Sequence, residues 1–349
     1  MKRRTFFGTA AAAGAAATLV PEAGAAVPAL GPRAKLDGMT LTQLRDELRH
    51  WLFDDFLPFM DKFVIDHDLG GFMCTVDRDG TQVNSSKRTW YEGRGIWTYS
   101  YLYNKVKPDP KYLEAARKSV GFIMKQNPLG KELMPAGYTK EGVPTGSGPD
   151  PIFYGDVFVA NGLQEFAKAK GNGEYADIAK KILMKCVDIY DNRPGYASLP
   201  PVPNTGTANP FNLNLPGVDR PRITGHWMVL LNCAQQMLET SRDPEIEALA
   251  ARSVDAVMDH QYNPAYGLIN EYINHGLSHI PSDHGQICVG HGPETLWMIL
   301  YDAVRLKDKA LFERAAGYLQ RSAEVFWDDV YGGVFAGLDH VDRNIWQVS

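Results

Sequence analysis

Residues 66–76 read DHDLGGFMCTV, and near the end of the chain residues 328–338 read DDVYGGVFAGL. In each, an aspartate stands four residues before a Gly-Gly pair and an extended apolar segment follows. Paired glycines mark a tight turn, because without a Cβ they accept the positive φ that other residues resist. Three more Gly-marked turns lie between: NPLGKELM (127–134), NRPGYASL (192–199) and NPAYGLINEYI (263–273). With Gly71, Gly130, Gly195, Gly267 and Gly333 as markers, the turns recur about every 60–70 residues.

Helical patterns fill the intervals. Apolar residues return at three- and four-residue spacing over 40–64, 91–105, 110–126, 153–169, 175–190, 224–240, 244–260, 293–306 and 309–327. Several of these open on proline, as in PDPKYL (108–113) and SRDPEI (241–246). A helix pair plus a hairpin, repeated, is a repeat architecture. In alternate helices, those carrying Arg94, Tyr154, His226 and His291, polar and aromatic residues interrupt the apolar face. The others are plainly amphipathic, as in EALAARSVDAVMDH (247–260). That alternation predicts an inner ring of functional helices inside an outer ring: an all-α (α/α) barrel over 35–349, with short β-hairpins, rather than an open solenoid. A ring of six units needs one more turn than the sequence shows, so the expectation is a toroid lacking its last helices.

Of 349 residues, 44% are hydrophobic and 22% charged, with a net charge of -5. The core is therefore large, and the absence of a basic footprint argues against nucleic acid as a partner. Cys74, Cys186, Cys233 and Cys288 show no C-x-x-C spacing, so neither a zinc site nor a disulfide framework is expected. Phosphate-loop, dinucleotide and nucleophile-elbow motifs are missing, which implies no obligate cofactor. Residues 1–26 differ from the rest: Lys2-Arg3-Arg4, then Phe6-Phe7, an Ala-rich run and Ala23-Gly24-Ala25. They read as a twin-arginine signal peptide of a bacterial protein, exported to the periplasm or beyond, with no membrane span in the mature form. The loop SLPPVPNTGTANPFNLNLPGVDRPR (198–222) is expected to cover the pocket mouth. A homodimer stays open.

The chemistry-bearing residues fall on the predicted inner helices. In CVGHGPETLW (288–297), Gly292-Pro293 reads as a helix start, since proline suits the first turn. His291 then lies just outside the helix and Glu294 in its first turn. The helix dipole would keep His291 neutral and base-competent, and Glu294 would fix its tautomer. The plain alternative is helix capping. In TWYEGRGIWTYSYLYN (89–104), Arg94 sits in an aromatic stripe with Trp97 beside it, a combination suited to a sugar ring and its hydroxyls; a structural Glu92–Arg94 bridge is the alternative. His226 lies on an apolar helix face, where a packed core histidine is also possible. Tyr154 and Asp156 occupy the equivalent place one repeat earlier, and Glu271 lies in the hairpin before His291. A ring would bring these residues to one end of its pocket, for proton transfer on a neutral polyhydroxyl substrate.

Five stretches, RTWYEGRGIWTYSYLYN, FYGDVFVANGL, GHWMVLLN, VGHGPETLWMIL and FWDDVYGGVF, together resemble the N-acylglucosamine 2-epimerase family, which includes cellobiose 2-epimerases and mannose-type aldose–ketose isomerases. The resemblance implies an (α/α)6 barrel, and an isomerase that opens a sugar ring and moves a proton at C2, or between C1 and C2, through an enediol or enolate. Carried over by motif, His291 is the acid/base, Glu294 its carboxylate and His226 a second pocket histidine, all catalytic. By the same match Arg94 contacts substrate; the repeat positions and the aromatic stripe, not the resemblance, add Trp97, Tyr154, Asp156 and Glu271 as substrate-binding positions. The family's second catalytic histidine lies in a Trp-rich segment, and NIWQVS (344–349) stops before that segment begins. The competing readings are a glycoside or unsaturated-uronate hydrolase, which needs two carboxylates across the scissile bond, and a non-catalytic sugar-binding remnant.

Overall fold

The computed structural model describes residues 35–36, 38–146, 148–150, 152–171, 173–193, 221–280, 287–335, 337–340 and 345–347. The expected export segment, most of the 198–222 loop and most of the NRPGYASL turn lie outside the described residues.

Helix follows helix as the apolar spacing predicts. α1 (Leu41–His50) runs through a wide, π-type turn (Trp51–Phe56) into α2 (Leu57–Phe63). Then come α3 (Thr89–Tyr101), α4 (Pro110–Met124), α5 (Tyr154–Lys170), α6 (Glu174–Asn192), α7 (Thr224–Leu238), α8 (Pro244–Asp255), α9 (His291–Leu306) and α10 (Lys309–Phe326). The starts have local causes. The Thr40 hydroxyl accepts from Gln43 N while the Gln43 side chain accepts from Thr40 N, a capping box. Asp109 and Asp243 cap α4 and α8 just ahead of a proline that has no N–H to waste.

α3, α5, α7 and α9 pack side by side in succession, each backed by its sequence partner α4, α6, α8 or α10. The inner position shows in burial: twelve of the fifteen residues of α7 are buried, against three of eighteen in the outer α10. The closest approach is between α3 and α5. A Cβ on Gly93 would lie 2.4 Å from the Phe158 carbonyl carbon, and one on Gly162 2.5 Å from the Gly93 oxygen. Glycine at both places lets the two backbones touch.

The two Gly-Gly stretches fold alike. Asp66 N donates to Gly71 O and Asp328 N to Gly333 O, both at 2.9 Å. Each aspartate carboxylate accepts from the two backbone N–H groups inside its turn. Gly70, Gly71, Gly332 and Gly333 all have φ between 79° and 95°. Single antiparallel bridges, Ile65 to Phe72 and Trp327 to Val334, flank the turns. A buried Lys87 fastens the first turn to the next unit, donating to Asp66 (2.8 Å), Gly70 O (2.7 Å) and Lys140 O (2.8 Å).

The hairpin expectation needs correction elsewhere. Tyr262–Asn263 pairs with Leu268–Ile269 around Gly267, as predicted, but 127–134 forms only a turn. Other strand pairs join distant segments: Lys87–Arg88 with Gly137–Tyr138, and Arg222–Ile223 with Tyr272–Ile273. Among the described residues no helix is long and apolar enough to cross a membrane.

Candidate active site

One long-range strand pair builds the centre of the site. Ile223 opposes Tyr272, Thr224 N donates to Glu271 O (2.9 Å), and the Thr224 hydroxyl donates to Asn270 O (2.8 Å). Glu271 is thereby held beside the first turn of α7, where His291 reaches it from the first turn of α9. The His291 Nδ1 to Glu271 Oε1 distance is 2.7 Å. Gly225 makes the meeting possible: a Cβ there would lie 2.4 Å from the Tyr154 hydroxyl and 2.7 Å from His291 Cε1.

Three expectations are revised here. His291 is the first residue of α9, with Gly290 as the cap, rather than a loop residue before it. Pro293 fits inside the first turn because N–H groups there have no partner within the helix. The carboxylate that orients His291 is Glu271, not Glu294. Nor is the ring kept neutral by the helix dipole. Burial works against its proton, but hydrogen bonds to Cys288 and Glu271, together with their charge, outweigh burial and push the pKa up to about 11. The His291 side chain keeps 19% exposure against 2% for Glu271, so the histidine is the more solvent-accessible member of the pair.

His226 lies next door and behaves in the opposite way. Its ring is fully enclosed, packed on Phe153 (4.9 Å), Tyr154 (5.2 Å) and Tyr190 (5.2 Å). Burial first, then the charges of His291 and Arg222, push its pKa down to about 3, so it stays neutral. Tyr154 also keeps its proton, its pKa raised well above the usual value by burial and then by Glu271.

Beside this group opens a cavity of about 410 Å³, the size range of small-molecule sites. Each inner helix gives it one stripe: Arg94 and Trp97 from α3, Asn161 from α5, Asn232 and Gln236 from α7, Glu294 and Trp297 from α9. The Arg94 guanidinium lies 4.5 Å over Phe158 and 5.5 Å over Trp90, and Trp90 in turn stacks near Tyr154 (5.2 Å). The wall is hydrogen-bonded along its length: Trp97 donates to Gln236, Gln236 to Asn232 (3.0 Å), and Asn161 to Asn232 (3.1 Å). Glu92 does not pair with Arg94; it is buried, accepting from Phe72 N (2.8 Å) and the Ser119 hydroxyl (2.5 Å).

The structure thus gathers His291, Glu271, Tyr154 and His226 into one cluster, with Arg94, Trp97 and Glu294 lining the cavity. Asp156 is not among them. It is buried, bridged to Lys185 (2.7 Å) and accepting from Met134 N (3.0 Å). Asn161, Asn232, Gln236 and Trp297 escape sequence reasoning, although Met228, Asn232 and Gln236 stand at four-residue spacing on one face of α7. Cys288 escapes it as well: its thiol, the Glu271 carboxylate and a His291 ring nitrogen lie within 4.8 Å of one another, a donor set able to hold a metal.

A family model described as N-acylglucosamine 2-epimerase matches residues 70–346, and the chain belongs to that family. It is 23% identical over 281 residues to the N-acylglucosamine 2-epimerase of Bos taurus, covering 77% of this chain and 62% of the bovine protein, less than two thirds of its length. Among solved structures, a sugar epimerase from a ruminal bacterium superposes with a TM-score of 0.68 at 17% identity, covering 87% of this chain and 76% of that one. The cellobiose 2-epimerase of Bacillus thermoamylovorans B4167 gives 0.66 at 17% identity, with 81% and 73% covered. The fold is the (α/α)6 barrel type of these structures.

Proposed function

We propose that this protein is a sugar 2-epimerase or aldose–ketose isomerase, moving a proton at C2, or between C1 and C2, of a neutral or N-acylated hexose. The observation that carries the reading is the His291–Glu271 dyad, one helical turn from Glu294 in the cavity wall. Family membership, and the names of the relatives, support the same class.

The dyad suits both halves of the reaction. As a cation, His291 donates its proton to the ring oxygen as the hemiacetal opens, while the C1 hydroxyl proton leaves to an acceptor such as Glu294. The neutral ring that results is a strong base, still oriented by Glu271, and takes the C2 hydrogen. Arg94 and the neutral Tyr154 supply donors for the oxygens on which negative charge develops. Returning the proton to C1, with the O2 proton passing to O1, gives the ketose; returning it to C2 after the open chain has turned its other face to His291 gives the epimer. Trp97 and Trp297 offer ring faces to the sugar, and the Asn161–Asn232–Gln236 wall meets its hydroxyls.

A hydrolase needs two carboxylates facing each other across the bond it cuts. Among the described residues lining the cavity, Glu294 is the one carboxylate, and Asp156 is committed to Lys185. Incubation with mannose, glucose, N-acetylglucosamine and cellobiose, with products resolved by NMR, tests the reading. One of these should yield its C2 epimer or its ketose. Release of a monosaccharide from an oligosaccharide, with no epimer or ketose formed, would contradict it. Export is proposed on the residues of the first segment alone; a reporter fused to residues 1–26 should leave the cytoplasm, and Arg3→Lys with Arg4→Lys should retain it.

A further inference from the structure

We infer that Glu271, Cys288 and His291 form a binding site for a borderline-soft divalent cation, with Zn2+ the ion that fits. The donor set is a carboxylate oxygen, a thiol sulfur and an imidazole nitrogen, the three ligand types that zinc takes in proteins. All three donor atoms lie within 4.8 Å of one another. Zinc bonds of about 2.0–2.3 Å put ligand atoms roughly 3.3–3.8 Å apart around a tetrahedral ion, so shifts of about an ångström seat one.

The donors stand on fixed backbone. Glu271 adjoins the Tyr272–Ile273 strand, Cys288 ends the Ile287–Cys288 strand, and His291 begins α9. The spacing Cys288-x-x-His291 brings two ligands from one strand-to-helix connection, and Glu271 comes from the neighbouring turn. Glu271 and Cys288 are buried, so water competes poorly for them. Among the described residues, the one ion pair of Glu271 is with His291, itself a ligand, and the ring proton of His291 and the thiol proton of Cys288 are released to solvent as the ion binds.

A bound ion takes over the ring through which His291 exchanges protons, and with it the Glu271 carboxylate. Zinc therefore acts as an off-switch for proton transfer. That consequence rests on the proposed function, whereas the binding site rests on geometry alone.

Metal-stripped full chain titrated with Zn2+ in a calorimeter, in competition with a chromophoric chelator, should bind one equivalent. Cys288→Ser and Glu271→Gln should each weaken that binding by at least about tenfold, while Cys74→Ser leaves it unchanged. Co2+ added to the wild-type chain should give a near-ultraviolet thiolate-to-metal absorption that Cys288→Ser abolishes. Zinc affinity indifferent to Cys288→Ser, or Co2+ binding without the thiolate band, would overturn the site. Proton exchange into sugar by the zinc-free chain reports separately on the function. Exchange without zinc binding sinks only the metal site; zinc binding without exchange sinks only the proposed reaction.

Discussion

At the scale of single residues, two buried carboxylates with opposite tasks carry the account. Glu271 holds a proton on His291. Replacing it with glutamine removes the negative charge but keeps the shape, so the His291 pKa should fall from about 11 toward the ordinary 6.5. Turnover should drop about 10²–10⁴-fold, the usual contribution of a positioned acid/base group, with KM little changed. NMR titration of the histidine and steady-state kinetics read the two effects. The stability that His291 gains from its partners is fully present below pH about 6.5 and is lost as pH rises through its folded pKa. Glu92 works the other way. Burial raises its pKa to about 7, against hydrogen bonds from Ser119 and Phe72 N and the charge of Lys87 that favour the anion. Between pH 4.5 and about 7 the folded chain keeps the Glu92 proton that the unfolded chain has released, so the contribution of Glu92 to stability should fall as pH rises through that window and stay constant above it. The difference in urea-unfolding free energy between wild type and Glu92→Gln, taken at several pH values, should show this slope.

At the scale of elements, the contact between α3 and α5 is the tightest joint in the inner layer. Gly162→Ala drives a methyl into the Gly93 carbonyl at 2.5 Å, and overpacking of this kind costs about 1–3 kcal/mol or more. Denaturant unfolding should show that loss, while Gly317→Ala, whose Cβ would meet open space, should not. This level of structure was well legible in the sequence. Apolar spacing and proline-led caps located the helices of the described residues to within a few residues, because each is specified by its own amphipathic pattern. The Gly-Gly turns were legible for a similar reason: Asp66 and Asp328 satisfy their own turns locally. The strand pairs between units were not, since a two-residue strand such as Tyr272–Ile273 carries no periodicity. That gap explains the misassigned partner of His291. Glu294 is its neighbour in sequence, but Glu271 is brought in by pairing with Arg222–Ile223. For the same reason Asp156, lying on an inner helix, was read as a pocket residue when Lys185 of α6 already claims it.

At the scale of the whole molecule, the described helices expose apolar side chains along a second concavity. Trp51, Phe56, Phe59, Met60, Val64 and Val76 line a hollow of about 550 Å³ beside α1 and α2, together with Asp55 and Cys74. Trp51 and Phe56 are more than half exposed. A dye that fluoresces on apolar surfaces should bind the folded chain there, and Trp51→Ser with Phe56→Ser should weaken its signal without lowering Tm. The cavity lined by all four inner helices includes Glu294, one turn along α9 from His291. The measurement that tests this most directly is deuterium incorporation from D2O into a turned-over sugar, by wild-type chain and by a folded His291→Asn variant. The account predicts deuterium at C2, or at C1 and C2, with wild type and almost none with the variant. Equal incorporation by both, or none by a folded wild-type chain on any hexose or cellobiose, would contradict it.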